Sequence, residues 1–296
     1  MKNVPNVTPG KTRIGFIGSG VMGSSMAGHL LKKGYALCVY TRTRSKAADL
    51  LEKGAAWAAS AGDLAHQSDV IISIVGYPAD VEQIYLGPDG ILENAAAGTL
   101  AIDMTTSDPA LARTLYKEGQ KKGIHVLDAP VSGGDLGARN ATLSIMAGGD
   151  APAFNAALPL LEIMGKNIVY QGPAGSGQHT KMANQIAIAA GMVGVCEALA
   201  YAKRAGLDPE TVLASIGQGA AGSWSLNNLG PRMIHQDFAP GFYVKHFIKD
   251  MTIAADSARS LDLETPGLDL AKKLYHRLAE KGCDSDGTQA LFKLFD

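Results

Sequence analysis

Short apolar runs recur along the first half of the chain, and stretches with the helical spacing of apolar residues separate each run from the next. The runs are rich in Val, Ile and Leu, as is typical of strands buried on both faces. This alternation predicts an α/β fold in which a doubly wound, mostly parallel sheet carries helices on both faces. The predicted strands are 14–17, 36–40, 70–75, 100–103, 125–127, 143–147 and 167–170.

The pattern changes at the glycine-rich segment 172–177, and beyond it the apolar spacing is helical to the end of the chain. Gly206 ends the first and longest of these helices, and Asp208 with Pro209 marks the start of the next. The predicted helices include 178–205, 245–260, 266–280 and a short one that ends at Phe295. We therefore predict a flexible tail (1–12), a sheet-containing domain (13–174) and an all-helical domain (175–296).

A strand, a glycine-rich turn and a helix follow one another in segment 14–30. Its glycines have the spacing G-x-G-x-x-G, in which the first allows a tight turn, the second lets a pyrophosphate approach the backbone and the third lets the helix pack closely on the strand. The strand before and the helix after supply the context that this motif requires. We therefore predict a Rossmann-type dinucleotide-binding domain with cofactor contacts from Gly18, Ser19, Gly20, Val21, Met22 and Gly23.

The end of the second predicted strand indicates which dinucleotide is preferred. An NAD-binding domain usually places Asp or Glu there, whereas an NADP-binding domain has small or basic residues that accommodate the 2′-phosphate. This chain has Thr41, Arg42 and Thr43 and no acidic residue in that turn. The sequence therefore favours NADP over NAD, with a solvated basic turn as the alternative interpretation.

Composition excludes several classes of partner. The 296 residues are 46% hydrophobic and carry a net charge of −1, so the chain offers no strongly basic surface for nucleic acid or for an acidic membrane. The longest apolar stretch, 186–195, is too short to cross a bilayer. Its three cysteines are too widely spaced for a disulfide framework or a metal site, so we expect a reducing, cytoplasmic location.

Further candidate binding residues follow the predicted strands, because a doubly wound sheet binds its ligand at the carboxyl ends of its strands. We expect cofactor contacts from Val75 and Gly76. The sequence Ser132-Gly133-Gly134 presents a hydroxyl and unhindered amides that suit a carboxylate, although a simple tight turn has the same composition.

Lys181 is the candidate catalytic residue. It lies near the start of the longest predicted helix, with Asn184 and Gln185 three and four residues later on the same face. Burial lowers the pKa of a lysine, which allows it to exchange a proton near neutral pH. Most lysines are instead solvated surface charges.

Four separated segments together resemble the β-hydroxyacid dehydrogenase family, which includes 3-hydroxyisobutyrate dehydrogenase, tartronate semialdehyde reductase and succinic semialdehyde reductases. They occur in the family's order and span the chain beyond its tail. The segments are 15–23, 128–134, 175–184 with the order G-x-G-x-x-x-K-x-x-N, and Lys249-Asp250.

The resemblance implies hydride transfer between NAD(P) and a small β-hydroxyacid or semialdehyde. Lys181 would be the general acid and base. The substrate carboxylate would be bound by Ser132, Gly133 and Gly134, and Asn184 would position it. Thr106 would lie beside the nicotinamide ribose, and Lys249 would contact the cofactor with Asp250 as its supporting partner.

Two residues depart from the family pattern and three alternative functions remain. Gln185 replaces a second Asn found in many relatives, and Thr41 replaces the acid of NAD-using members. The alternatives are an imine reductase, a 6-phosphogluconate dehydrogenase-like enzyme and a non-catalytic NADP-binding module. The apolar helical half predicts a homodimer or homotetramer.

Overall fold

The computed structural model describes residues 4–296, which form two compact units, one ending at Lys181 and one comprising Met182–Asp296. The predicted domain boundary lies slightly earlier, between residues 174 and 175. The first three residues of the predicted tail lie outside the described range. Residues 4–12 pack against the first unit instead of extending into solvent, because Val7 joins its core and the Gly10 amide donates to the Gly34 carbonyl oxygen at 3.2 Å.

Nine strands are described in the first unit, and they form one sheet. All seven strands expected from the sequence are present. The two additional strands, β3 and β7, have two residues each, too few to produce a pattern of alternation. The strands are β1 (Arg13–Ile17), β2 (Ala36–Tyr40), β3 (Ala56–Trp57), β4 (Val70–Ser73), β5 (Leu100–Asp103), β6 (His125–Asp128), β7 (Val131–Ser132), β8 (Leu143–Gly148) and β9 (Gly165–Gly172).

The predicted doubly wound, mostly parallel sheet is confirmed. Its order is β3-β2-β1-β4-β5-β6-β8-β7, with β9 also paired to β8. All pairs from β3 to β6 are parallel, whereas β8 runs antiparallel to β6 and β7. Strand β1 is central, since Ile14 pairs with Leu37 on one side and with Val70 on the other. The carboxyl ends of β1, β2, β4, β5 and β6 therefore share one edge of the sheet.

Helices cover the sheet of the first unit. The buried Met26, Ala27 and Leu30 of α1 belong to a core that also includes the buried side chains of β1 and β2. Their spacing places them on one helical face. The helices are α1 (Val21–Lys32), α2 (Ala48–Glu52), α3 (Ala61–His66), α4 (Pro78–Leu86), α5 (Ile91–Asn94), α6 (Pro109–Lys121), α7 (Gly134–Arg139) and α8 (Ala151–Met164), with a 3₁₀ turn at Arg44–Ala47.

The second unit is helical, as the sequence predicts. Its core contains Phe247 and Tyr275, which meet edge to face at 5.0 Å between ring centroids. Asp208 caps α10 by accepting from the Glu210 and Thr211 amides. The helices are α9 (Ser176–Arg204), which begins in the first unit, α10 (Pro209–Ile216), α11 (Trp224–Ile234), α12 (Val244–Arg259) and α13 (Pro266–Leu278), followed by a π turn at Ala279–Cys283 and a 3₁₀ segment at Thr288–Leu294.

Helix α9 is the one described helix that is long and apolar enough, by length and composition, to cross a membrane. The sequence count of 186–195 considered only uninterrupted apolar residues, whereas the apolar character of α9 extends over 18 residues with a mean hydropathy of 1.5. Half of that window is buried inside the protein, as it is in a core helix.

A buried carboxylate lies at the end of β5. Asp103 Oδ1 accepts from Ser73 Oγ at 3.0 Å and from the Thr105 amide at 3.1 Å. Burial raises the pKa of Asp103 to about 6, although the hydrogen bonds from Thr105 and Ser73 oppose this rise. The ordinary pKa of the unfolded side chain is lower, so the folded state binds this proton more tightly.

We expect Asp103 to make the protein less stable as pH rises from about 4 to about 6. In that window the folded state holds a proton that the unfolded state has released, and the resulting stabilisation is lost when the folded carboxyl ionises. Asp103→Asn keeps an acceptor oxygen but cannot ionise. The decline in unfolding free energy should therefore be about 2 to 3 kcal/mol smaller in the variant, as measured by urea denaturation across this range.

Asp69→Asn is the control of opposite sign. The Arg13 side chain hydrogen-bonds Asp69 and lowers its pKa, so ionised Asp69 contributes stability that is lost as pH falls. Removing it should lower stability above about pH 4, where wild-type Asp69 is ionised, and leave the decline between about pH 4 and 6 as in the wild type. If Asp103→Asn and the wild type had the same pH dependence of stability, folding would not raise the pKa of Asp103.

Candidate active site

The glycine-rich turn between β1 and α1 has the geometry of a nucleotide-binding turn. Gly18 has a φ of +101°, and a Cβ there would lie 2.0 Å from the Ile74 carbonyl oxygen. A Cβ on Gly23 would lie 1.9 Å from the Gly18 carbonyl oxygen, so only glycine lets α1 begin this close to the strand. A Cβ on Gly20, in contrast, would have no described atom within 4 Å, which leaves room for a phosphate to approach the backbone.

Two polar features of this turn fit a bound anion. Ser19 Oγ is buried and has no hydrogen-bond partner among the described residues. Gly20 caps α1 without a side chain, so the first amides of this twelve-residue helix are available to a ligand at the positive end of its dipole. Val21 is 55% exposed, which is unusual for a valine and consistent with a surface that a ligand covers. The residues present therefore fit a dinucleotide pyrophosphate.

The basic turn after β2 has an acidic partner that the local sequence does not show. Arg42 Nη1 donates to Asp80 Oδ1 at 2.9 Å, and Asp80 Oδ2 accepts from the Tyr77 amide at 3.1 Å in the first turn of α4. Arg44 lies over the Trp57 ring at 5.4 Å, and Thr41 and Thr43 flank Arg42. Arg42 is thus an exposed cation at this position, and it already faces a carboxylate.

The loops after β4 and β5 are joined by one hydrogen bond. The Val75 amide donates to Thr105 Oγ1 at 3.0 Å, which brings Val75 and Gly76 beside the loop that carries Thr106. The sequence extended β4 to residue 75, but the strand ends at Ser73, and the Val75 amide bonds a side chain instead of a neighbouring strand. These candidate cofactor residues therefore lie together at the carboxyl edge of the sheet.

The Ser132-Gly133-Gly134 segment is partly a strand and partly a helix start. Ser132 ends β7, where it pairs with Ser144, and Gly133 caps α7. Gly133 and Gly134 have φ values of +120° and +62°, so both need the left-handed region that glycine adopts freely. The segment is a constrained turn, which is the alternative stated in the sequence analysis, and the space beside Gly134 is open.

The start of α9 is anchored by the carboxylate of Asp128, which ends β6. Asp128 Oδ1 accepts from the Gly175 amide at 2.7 Å, and Oδ2 accepts from the Gln178 amide at 2.8 Å. Burial raises the pKa of Asp128 to about 6, against the opposing effect of these amide hydrogen bonds. Lys181 follows Gln178 by one helical turn and is itself buried, with 6% of its surface exposed. The alternative of a solvated surface lysine is therefore wrong.

In the second unit, four polar side chains form a connected chain. Asn184 Nδ2 donates to Gln185 Oε1 at 2.7 Å, and Gln185 Nε2 donates to Asp250 Oδ2 at 2.6 Å. The Lys249 ammonium lies 2.9 Å from Asp250 Oδ1. Gln185 and Asp250 are buried, so the departure from the family pattern at Gln185 has a structural use: it links the predicted substrate residue Asn184 to the Lys249–Asp250 pair.

The sequence did not predict the side-chain contacts of Asp80, Gln178 and Gln185. Gln178 lies inside the motif that precedes Lys181, but only the fold shows what its side chain contacts. Asp80 is 38 residues from Arg42 along the chain, and no local pattern pairs them. Among the described residues no group of His, Cys, Asp and Glu has the arrangement of a metal site.

Two family models match the chain. Residues 13–172 match the NAD-binding domain of 6-phosphogluconate dehydrogenase, and residues 175–295 match the domain described as NAD-binding of NADP-dependent 3-hydroxyisobutyrate dehydrogenase. Together they cover both units of the structure.

Full-length relatives support the same grouping. The uncharacterized oxidoreductase YkwC of Bacillus subtilis is 59% identical over 96% of this chain and 99% of the relative. The probable 3-hydroxyisobutyrate dehydrogenase-like 1 of Arabidopsis thaliana is 49% identical over 96% of this chain and 85% of the relative. The NAD-dependent L-serine dehydrogenase of Pseudomonas aeruginosa is 37% identical over 96% and 98%, respectively.

Solved structures have the same architecture over nearly the whole chain. The Mycobacterium tuberculosis 3-hydroxyisobutyrate dehydrogenase with L-serine is 29% identical with a TM-score of 0.87, covering 96% of this chain and 98% of that one. Psf3 in complex with NADP⁺ and 2-OPP is 25% identical with a TM-score of 0.88, covering 96% and 100%. An imine reductase from Myxococcus stipitatus, at 19% identity, a TM-score of 0.65 and coverage of 96% and 99%, shares the fold alone.

The glycine turn, the parallel sheet and the helical second unit define an NAD(P)-dependent oxidoreductase. Within that class, both family models are those of hydroxyacid dehydrogenases, and a relative that matches along the chain is named as one. The chain belongs to the β-hydroxyacid dehydrogenase family, in its 3-hydroxyisobutyrate dehydrogenase-like branch.

Two alanine substitutions in the glycine turn should separate folding from cofactor binding. In Gly23→Ala the new Cβ meets backbone, so the ligand-free protein should lose about 1 to 3 kcal/mol of stability. In Gly20→Ala the Cβ meets open space and φ is −75°, so stability should change by less than about 1 kcal/mol. Thermal unfolding without cofactor measures both effects.

Gly20→Ala should nevertheless weaken dinucleotide binding by about tenfold or more, because the methyl group occupies the space for the pyrophosphate. Titration of protein-bound NADPH fluorescence measures this loss. Wild-type affinity in Gly20→Ala would mean that the phosphates bind elsewhere.

Proposed function

We propose that this protein transfers a hydride between a nicotinamide cofactor and a small β-hydroxyacid or the corresponding semialdehyde, with Lys181 as general acid and base. The observation that carries the proposal is the burial of Lys181 one turn after the anchored start of α9, in the same unit as the glycine turn. A buried lysine at a fixed helix position is suited to proton exchange with a bound substrate.

The bound nicotinamide supplies the hydride in reduction and accepts it in oxidation. Lys181 donates a proton to the carbonyl oxygen during reduction and removes the hydroxyl proton during oxidation. Ser132 and the amides of Gly133 and Gly134 hold the substrate carboxylate, and Asn184 positions it. Fixing both ends of a small substrate in this way supplies much of the rate enhancement, because the reacting atoms are oriented before reaction.

The names of relatives support a small carboxylate substrate. One is an NAD-dependent L-serine dehydrogenase, and one solved relative contains L-serine, which is a 3-hydroxy acid. The choice among small hydroxyacids depends on pocket volume, so a panel of semialdehydes and hydroxyacids assayed with both cofactors is the first experiment. Turnover in that panel would exclude a non-catalytic NADP-binding module.

Lys249 and Asp250 belong to the second unit. Lys249 is the proposed cofactor contact, and Asp250 is its supporting partner. Asp250 fixes the Lys249 ammonium at 2.9 Å, and both side chains are largely buried. A buried ion pair is costly without further hydrogen bonds, and Gln185 supplies one to Asp250 Oδ2. Lys249 thereby carries a fixed positive charge, which suits an anionic ligand.

We also propose a homodimer or homotetramer. Several large apolar side chains of the second unit are exposed, among them Tyr201, Leu207 and Leu261. Exposed apolar surface of this kind is commonly covered by a second subunit. Sedimentation analysis of the purified protein distinguishes these states from a monomer.

Lys181→Ala should abolish most turnover without loss of NADPH affinity, because the phosphates bind at Gly18–Gly23. General acid catalysis contributes about 10²- to 10⁴-fold, and this is the expected decrease in kcat/KM. Lys203→Ala is the matched control, since Lys203 lies on the same helix but is exposed and paired with Asp296. If Lys181→Ala kept more than about a tenth of wild-type kcat/KM, the proton would have another source.

The cofactor preference should follow the balance between Arg42 and Asp80. We expect a lower KM for NADPH than for NADH, because Arg42 pairs with the 2′-phosphate. Arg42→Ala should narrow this difference by roughly 1 to 3 kcal/mol. Asp80→Asn should widen it, because the variant removes a carboxylate that competes with the phosphate for the guanidinium.

Steady-state kinetics with both cofactors tests the two variants together. A wild-type preference for NADH would contradict the assignment of Arg42. An unchanged preference in Asp80→Asn would show that the 2.9 Å ion pair does not affect cofactor choice.

A further inference from the structure

The side chain of Gln178 hydrogen-bonds the main chain on both sides of Thr106. Its Nε2 donates to the Thr105 carbonyl oxygen at 2.7 Å, and its Oε1 accepts from the Ser107 amide at 2.9 Å. Gln178 has no exposed surface. One amide group therefore fixes the two peptide groups that flank Thr106, the residue assigned to the nicotinamide ribose.

Only a group with one donor and one acceptor satisfies both contacts. The Thr105 carbonyl accepts only and the Ser107 amide donates only, so the orientation of the Gln178 amide is determined by its partners. An ionised carboxylate at this position would face the Thr105 carbonyl without a proton between them. An apolar side chain of similar length would leave both buried backbone groups without this partner, at a cost of about 1 to 3 kcal/mol each.

The backbone of the same residue is fixed by a different strand. The Gln178 amide donates to Asp128 Oδ2 at 2.8 Å. The preceding residue has no room for a side chain, because a Cβ on Gly177 would lie 2.3 Å from the Met146 carbonyl oxygen. Gln178 is thus joined to β6 through its backbone and to the loop after β5 through its side chain. Lys181 follows one turn later.

We propose that Gln178 is a positioning residue that holds the proton donor Lys181 in register with Thr106 on the nicotinamide side. This inference rests on the proposed function. Cofactor binding depends mainly on the glycine turn, whereas the reaction depends on the distance between the hydride donor and the proton donor. Loss of the two hydrogen bonds of the Gln178 side chain therefore lowers kcat more than it weakens NADPH binding.

The decisive variant is Gln178→Glu, because its carboxyl group imitates the amide only when protonated. A protonated carboxyl has one O–H donor for Thr105 and one carbonyl acceptor for Ser107. The ionised form has no donor. Burial raises the pKa of such a carboxyl, so protonation occurs within a range accessible to assay.

We expect kcat of Gln178→Glu to be about 10²-fold below wild type at pH 8, with the gap narrowing at least tenfold by pH 6. Gln178→Met, which cannot be protonated, should show a low kcat ratio that does not change with pH. The dissociation constant for NADPH should change by less than about fivefold in both variants, as measured by fluorescence titration.

Other ionisable groups are common to all the proteins compared. Asp103 is bonded to the Thr105 amide, Asp128 to the Gln178 amide, and His179 and Lys181 lie on α9. Gln178→Met keeps these groups without adding a carboxyl, so the readout is the ratio of variant to wild type at each pH, compared between Gln178→Glu and Gln178→Met.

Gln289→Glu is the matched control. Gln289 is also buried, and its Nε2 donates to the carbonyl oxygens of Asp237 and Ala239 in the second unit. This variant should lose stability while keeping wild-type kcat at a temperature well below its unfolding. A structural defect of a buried glutamine is thereby separated from a defect in positioning.

The results distinguish failure of the proposed function from failure of the positioning role of Gln178. An inactive wild type across the substrate panel would contradict the proposed function and with it the role of Gln178. An active wild type, combined with kcat within threefold of wild type in Gln178→Glu at pH 8 or with a gap that does not narrow toward pH 6, would overturn the positioning role alone. If Gln178→Met does not fold, the pH-dependent recovery of Gln178→Glu decides the question.

Discussion

The candidate site depends on two hydrogen bonds that the buried Asp128 carboxylate accepts from backbone amides. A buried carboxylate is costly, and burial raises the pKa of Asp128 to about 6. The Gly175 and Gln178 amides offset part of this cost by donating to the charged form. Because Asp128 ends a central strand and these amides open α9, this contact sets where the helix begins.

Close approach of the chain at this contact requires glycine on both sides. A Cβ on Gly148 would lie 2.7 Å from Asp128 Oδ1, and a Cβ on Gly177 would lie 2.5 Å from the Asp128 carbonyl oxygen. The nucleotide turn uses the same device at Gly18 and Gly23, where a side chain would collide with backbone. Gly20 differs, because the space beside it is open. Packing explains Gly148, Gly177, Gly18 and Gly23, whereas the open space beside Gly20 suits a ligand.

Sequence patterns predicted the architecture because they arise from burial. Strands such as β4 and β5 are buried along their entire length, so their apolar runs are unmistakable. The same rule missed β7, a two-residue strand that depends on its pairing with β8. Residues 4–12 look like a polar tail in the sequence, but the packing of Val7 depends on a surface formed by distant segments.

The candidate residues were identifiable because motifs such as G-x-G-x-x-G are local. The residues that hold them in place could not be identified from the sequence, because the contacts of Gln178 with Thr105 and Ser107 join segments more than 70 residues apart. Gln185 shows the same limit. Compared with the family pattern it was a departure of unknown meaning, and its contact with Asp250 spans 65 residues.

Cofactor preference illustrates why a local rule is incomplete. The rule examines the end of β2, where an acid excludes the 2′-phosphate and a base attracts it. Here that strand supplies the base, Arg42, while α4 supplies the acid, Asp80, and the two are in contact. An exposed ion pair of this kind is weak, at about 0 to 1 kcal/mol, so a doubly charged phosphate can compete with Asp80 for the guanidinium. The same carboxylate repels that phosphate. The proposed discrimination between NADP and NAD is therefore a difference between two opposing electrostatic effects, and a residue on a neighbouring helix can adjust it while the strand sequence stays the same.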